Sequence, residues 1–185
     1  MPAMQERLWT AREVLDLPDV PGLQFEVIDG ELFVTPAPSF DHQEVLTALW
    51  QRIATWLLAN RVGRAIVAPA DVEIAPDTLV QPDLFVLPLV NGRRARTFAE
   101  AGRLLLAADV LSPRSVTRDA IRKRDLFARL NVEYWIVDPE ARTIEQCAPG
   151  RPPEVRRDSI MWHPADATAS LAIDVPALFA DALDD

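Results

Sequence analysis

Three side chains far apart in the chain carry its clearest chemical signal: Asp83, Asp109 and Lys123. Lys123 is the one lysine among 19 basic residues, the other 18 being arginine. An ammonium is a compact point charge that fits beside a water or a phosphate oxygen where a planar guanidinium does not. Its position adds to the signal. Residues 117–130 read as a helix in which Val116, Ala120, Phe127 and Leu130 recur at helical spacing. Lys123 falls on that apolar stripe, and Arg118, Arg122, Asp125 and Arg129 fall on the opposite face. A lysine on an inward stripe must reach the edge of the helix or meet a buried anion. Two anions are at hand. Asp83 lies in the run 79–87 and Asp109 in the run 104–111, both apolar at odd and even positions and so expected to be covered on both faces. Either aspartate alone reads as a strand-end cap. Two carboxylates and an inward lysine together read as hard-ligand chemistry, suited to Mg²⁺ or Mn²⁺. An ion between the acids would polarise a phosphoryl oxygen and activate water, with Lys123 orienting that water or offsetting charge on the phosphate.

Other chemistries are poorly served. With 6 glycines the chain has neither a phosphate-binding Gly-rich loop nor a dinucleotide fingerprint, so no nucleotide cofactor is expected. Ser112-Pro113 is not a nucleophile elbow. His42 and His163 are too few for a three-histidine zinc site. Cys147 is the only cysteine, which excludes an intramolecular disulfide and reads as an inert strand residue in a cytoplasmic protein. No run approaches membrane-spanning length, and the start of the chain does not read as a secretory signal. The net charge of −9 is unusual for a nucleic-acid binder. Yet residues 91–130 hold ten basic and four acidic side chains, +6 against −15 elsewhere. Such a segment would hold a polyanion beside the candidate site, or it is simply a solvated helix face and an arginine-rich loop.

The elements that must position these groups are legible in outline. Thr10-Ala11-Arg12-Glu13 is a capping box opening a helix to about residue 17. Asp29-Gly30 between residues 24–28 and 31–35 signals a tight hairpin, with Glu26, Ile28, Glu31 and Phe33 on one face. Residues 41–60 read as a long helix with His42 at the start of its apolar face. Residues 65–74 read as one strand with Asp71 and Glu73 on its solvated side, and 79–87 as another. Residues 133–137 and 143–147 form a second hairpin, 154–162 a further strand and 176–183 a terminal helix. One domain over residues 1–185 is expected, with a core at about 24–147.

At this level the chain resembles the Uma-two family of the PD-(D/E)XK restriction-endonuclease-like superfamily. The resemblance is carried in order by Phe25 to Leu32, Pro36 to His42, Gln81 to Leu84, Asp109 to Pro113, Arg118 to Lys123 and Glu133 to Pro139. It implies an α/β fold with a central mixed sheet flanked by helices and an added N-terminal hairpin. Asp83 stands in the place of the first acid. Asp109 stands in the place of the second, where relatives more often have glutamate. The usual lysine position falls on Leu111, and its role passes to Lys123. Glu26 would be an additional metal ligand, and His42 would contact the scissile phosphate or orient a ligand; a buried helix-start histidine making one hydrogen bond is the other reading of His42. The resemblance implies Mg²⁺- or Mn²⁺-dependent hydrolysis of DNA, with a homodimer by analogy with double-strand cutting. Two other readings stay open: a nuclease-fold protein without catalysis that binds nucleic acid or protein, and a small-molecule enzyme using the same carboxylates.

Overall fold

In the computed structural model the described residues are 7–112, 117–165 and 167–184, without the side chains of 117–119. Helix α1 (Ala11–Leu15) opens on the Thr10–Glu13 capping box that the sequence predicts. Strands β1 (Leu23–Ile28) and β2 (Glu31–Pro36) form the predicted hairpin. Its turn uses Asp29 and Gly30 at φ 51° and 80°, and Glu26 pairs with Phe33 across the ladder. Helix α2 (Phe40–Asn60) is capped by Ser39, and it buries His42, Val45, Leu49, Ile53 and Leu57 along one line.

The expected strand over 65–74 is two strands, β3 (Gly63–Val67) and β4 (Val72–Ala75), parted by Ala68-Pro69. The expected strand over 79–87 is also two, β5 (Thr78–Val80) and β6 (Leu84–Val90), parted by Gln81-Pro82-Asp83. In each case a proline, which cannot donate to a ladder, marks the point where the chain leaves one sheet for another. At Gly63 a Cβ would lie 2.3 Å from the Leu87 carbonyl oxygen, so only glycine lets β3 approach β6 there. After β6 come β7 (Arg93–Arg94), the short helix α3 (Phe98–Ala101) and β8 (Leu106–Val110). Helix α4 (Thr117–Arg129) then crosses to β9 (Glu133–Asp138), which pairs parallel with β8. Strand β10 (Thr143–Cys147) returns antiparallel. The expected strand over 154–162 is again two, β11 (Glu154–Arg156) and β12 (Ser159–Trp162), before β13 (Leu171–Asp174) and helix α5 (Val175–Leu183).

The main sheet is mixed, in the order β11-β10-β9-β8-β6-β3, with β7 paired to β6. A smaller sheet runs β2-β1-β5-β4, and β12 pairs with β13. One face of the main sheet packs Leu84, Val86, Leu106, Val110, Trp135 and Val137 against α2, α5 and the β12–β13 pair. The other packs Phe85, Leu87, Ala107, Tyr134 and Ile136 against α4 and residues of the smaller sheet. Both faces are covered, as the two-sided apolar runs require. The core also reaches beyond the expected stretch of 24–147, from Ala11 to Phe179. Among the described residues no helix is long and apolar enough to cross a membrane.

Candidate active site

The β8–α4–β9 crossover sets Lys123 over the sheet. Leu126 and Phe127 bury one side of α4 against it and hold the helix in register, and Lys123 lies on that same side with 4% of its surface exposed. Leu130, expected on the stripe, is exposed, because the helix ends before it. Val116 and Arg114, and the side chains of Arg118 and Asp119, lie outside the described residues. The Lys123 ammonium meets two anions: Nζ is 2.9 Å from Glu26 Oε2 and 3.3 Å from Asp109 Oδ2. Glu26, on β1, is 2% exposed, and its Oε1 accepts a hydrogen bond from the backbone N–H of Gln81. The hairpin therefore delivers an acid to the pocket from a different sheet.

Asp83 and Asp109 are tied together through each other's backbone. The N–H of Asp83 donates to Asp109 Oδ1 at 2.9 Å, and the N–H of Val110 donates to Asp83 Oδ2 at 2.8 Å. These reciprocal bonds hold the start of β6 against the end of β8. The second oxygen of Asp109 also accepts from the Tyr134 hydroxyl at 2.6 Å. Tyr134 is buried on β9, with its ring centroid 4.9 Å from that of Phe127. Sequence reasoning missed this residue; its one signal is a phenol in a strand buried on both faces, where the hydroxyl must find a partner. His42 enters from the first turn of α2. Its Nε2 is 3.4 Å from Asp83 Oδ1, outside hydrogen-bonding geometry, and neither ring nitrogen has a hydrogen-bond partner among the described residues. The single structural hydrogen bond that was the other reading of this histidine is not formed.

All five residues singled out from the sequence, with Tyr134, line one cavity of about 60 Å³. It adjoins a larger groove of about 730 Å³ that shares His42, Leu111, Ser112 and Ala120. Acids line that groove: Asp41, Asp138, Glu140 and Glu145, with Arg124 engaged to Glu145 at 3.3 Å. Among the described residues no three His, Cys, Asp or Glu side chains are gathered as a ready-made metal shell. The Lys123 ammonium bridges two of the acids expected to form one.

The expected continuous basic segment beside the site is divided by the fold. Arg122 and Arg129 pair with Glu31 and Asp29 of the hairpin, both at 2.9 Å. Arg93, Arg94 and Arg96 are exposed beyond the end of β6 opposite Asp83. Leu84 and Val90 stand at the two ends of the 7-residue strand β6, roughly 20 Å apart at the usual rise. Burial, and then the neighbouring Glu145, push the Cys147 thiol up to about 12, in keeping with the inert residue expected. Asp71 accepts from Gln81 Nε2 at 2.6 Å and, like Glu73, is exposed, outside the candidate site.

A mixed sheet covered by helices on both faces, with acids from β1, the entrance to β6 and β8 and an amine from the crossover helix converging at one end, defines an α/β protein of the restriction-endonuclease-like type. A family model described as "Putative restriction endonuclease", Uma2, matches residues 11–176, and the chain belongs to this family. The crystal structure of a protein from Anabaena variabilis ATCC 29413, described as "a putative nuclease belonging to DUF820", shares the fold with a TM-score of 0.74. The two chains are 22% identical over 95% of this chain and 99% of that one. No curated protein matches the chain.

Proposed function

We propose that this chain is a divalent-cation-dependent endonuclease that hydrolyses phosphodiester bonds of DNA. The observation that carries the reading is the convergence of Glu26, Asp83, Asp109 and Lys123 on one small cavity. Three carboxylates and one ammonium leave two negative charges in a largely buried space. That imbalance fits a divalent cation, and the oxygen donors suit Mg²⁺ or Mn²⁺. Asp83 and Asp109 would hold the ion, with Glu26 as a third donor once a substrate draws Lys123 away. When bound, the cation supplies Lewis-acid polarisation of a phosphoryl oxygen and a more acidic water.

The rest of the chemistry falls to the chain. Lys123 holds a compact positive charge against the negative charge that grows on the phosphate during in-line attack. Tyr134 and the Asp83 amide fix the Asp109 carboxylate, so no rotation is needed at the moment of reaction. Double-strand cutting requires two such sites, for which we infer a homodimer. Plasmid nicking in Mg²⁺ or Mn²⁺ tests the assignment: wild type should nick, and Lys123→Ala and Asp83→Asn should lose at least about a hundredfold in rate. Equal cleavage by all three would refute it.

The acids along the adjoining groove favour a second reading, a nuclease fold without catalysis that serves as an interaction module. Calorimetry with Mn²⁺ separates the two. An active site binds the ion and loses it in Asp83→Ala.

A further inference from the structure

We propose that His42 and Asp83 act as a mixed nitrogen–oxygen donor pair, which makes the pocket select a first-row transition-metal ion such as Mn²⁺ over Mg²⁺. The proposal rests on the reading of the pocket as a cation site and names the ion that it prefers. The His42 side chain is 7% exposed, yet neither ring nitrogen has a hydrogen-bond partner among the described residues. Buried polar atoms in native proteins are nearly always paired, and an exception calls for a water, an ion or a ligand that completes it. A neutral imidazole carries one bare lone pair, the form that binds metals.

The neighbouring donor is specific. Asp83 Oδ2 is taken by the Val110 amide, so Oδ1 is the oxygen left over, and it is the one that faces His42 Nε2. Their 3.4 Å separation does not make a hydrogen bond. It does match the spacing of two donors on a common ion, about 3.0–3.5 Å for bonds near 2.1 Å. Position agrees with this role. His42 continues the inward line of Val45, Leu49 and Ile53 one turn past the apolar core, so α2 aims it at the cavity instead of at solvent. All-oxygen shells suit Mg²⁺; adding one imidazole shifts preference along the transition-metal series.

The test uses the full chain and the ions alone. Calorimetry should show Mn²⁺ binding tighter than Mg²⁺ by about tenfold or more, and Co²⁺ tighter still. His42→Leu should bring the Mn²⁺ and Mg²⁺ affinities together. Electron spin echo spectroscopy of the wild-type Mn²⁺ complex should show coupling to a ¹⁴N nucleus, a readout that needs no variant. Bound Mn²⁺ that is lost in Asp83→Ala but lacks nitrogen coupling would overturn this proposal and leave the nuclease reading standing. Wild-type protein that takes up no Mn²⁺ at all would overturn both.

Discussion

Removing the Lys123 ammonium would take from the buried Glu26 carboxylate the cation that meets it at 2.9 Å. Breaking a buried ion pair from one side typically costs about 3–5 kcal/mol. Lys123→Met is therefore expected to lower the unfolding free energy from urea denaturation by about that much, with the midpoint falling in proportion. Adding Glu26→Gln should recover part of the loss, because the buried negative charge that Lys123 faced is gone. A Lys123→Met chain as stable as wild type would show that the pair does not hold the pocket together. Tyr134→Phe deletes only the hydroxyl bonded to Asp109, and a hydrogen bond to a charged group is worth about 1.5–3 kcal/mol. That loss should appear in urea denaturation even without metal. Lys123 was legible because helical spacing ties it to Ala120 and Phe127, residues that must face inward. Tyr134 was not. In a strand apolar on both faces it reads as packing, and the partner that gives its hydroxyl a purpose lies 25 positions away.

At the scale of elements, local rules worked where the signal is steric. Asp29-Gly30 gave the hairpin and its register, because a two-residue turn of positive φ leaves one way to pair the flanks. The runs 65–74, 79–87 and 154–162 each read as one strand because apolar patterning does not reveal a change of sheet. Pro69 and Pro82 were the available signals for the first two. The break at Pro82 is what carries the site, since it turns Asp83 from a strand interior to a strand entrance. The α1 capping box offers a pH test. Glu13 is held below its ordinary value of 4.5, chiefly by the hydrogen bond from the Thr10 backbone and then by the Thr10 side chain and Arg7. The folded chain thus favours the ionised form. Its contribution is complete above pH 4.5 and is lost as pH falls through the folded value. Protection of the α1 amides, corrected for intrinsic exchange, should fall over that window, and Thr10→Ala, which keeps the backbone bond but loses the hydroxyl, should weaken the dependence.

Across the whole molecule, charge is arranged in a way that no linear reading could give. Two arginines of α4, Arg122 and Arg129, are engaged by Glu31 and Asp29, which pins the helix to the hairpin. The arginines at the β6–β7 turn carry no ion pair among the described residues. On the proposed nucleic-acid reading, Arg93→Glu with Arg94→Glu should weaken DNA binding. The salt dependence should become shallower by about one to two phosphate contacts, while Mn²⁺ binding is unchanged. A double variant that binds DNA like wild type at every salt concentration would exclude that end of the sheet from the contact surface.

The reciprocal bonds between the two aspartates and each other's strands reach beyond this chain. Each acid is a structural rivet as well as a candidate ligand, so folding alone gives a reason to keep both. A relative that has drifted into a pseudoenzyme would keep the pair and still look intact. On the proposed reading the better marker of a living centre is His42, whose ring nitrogens make no hydrogen bond among the described residues.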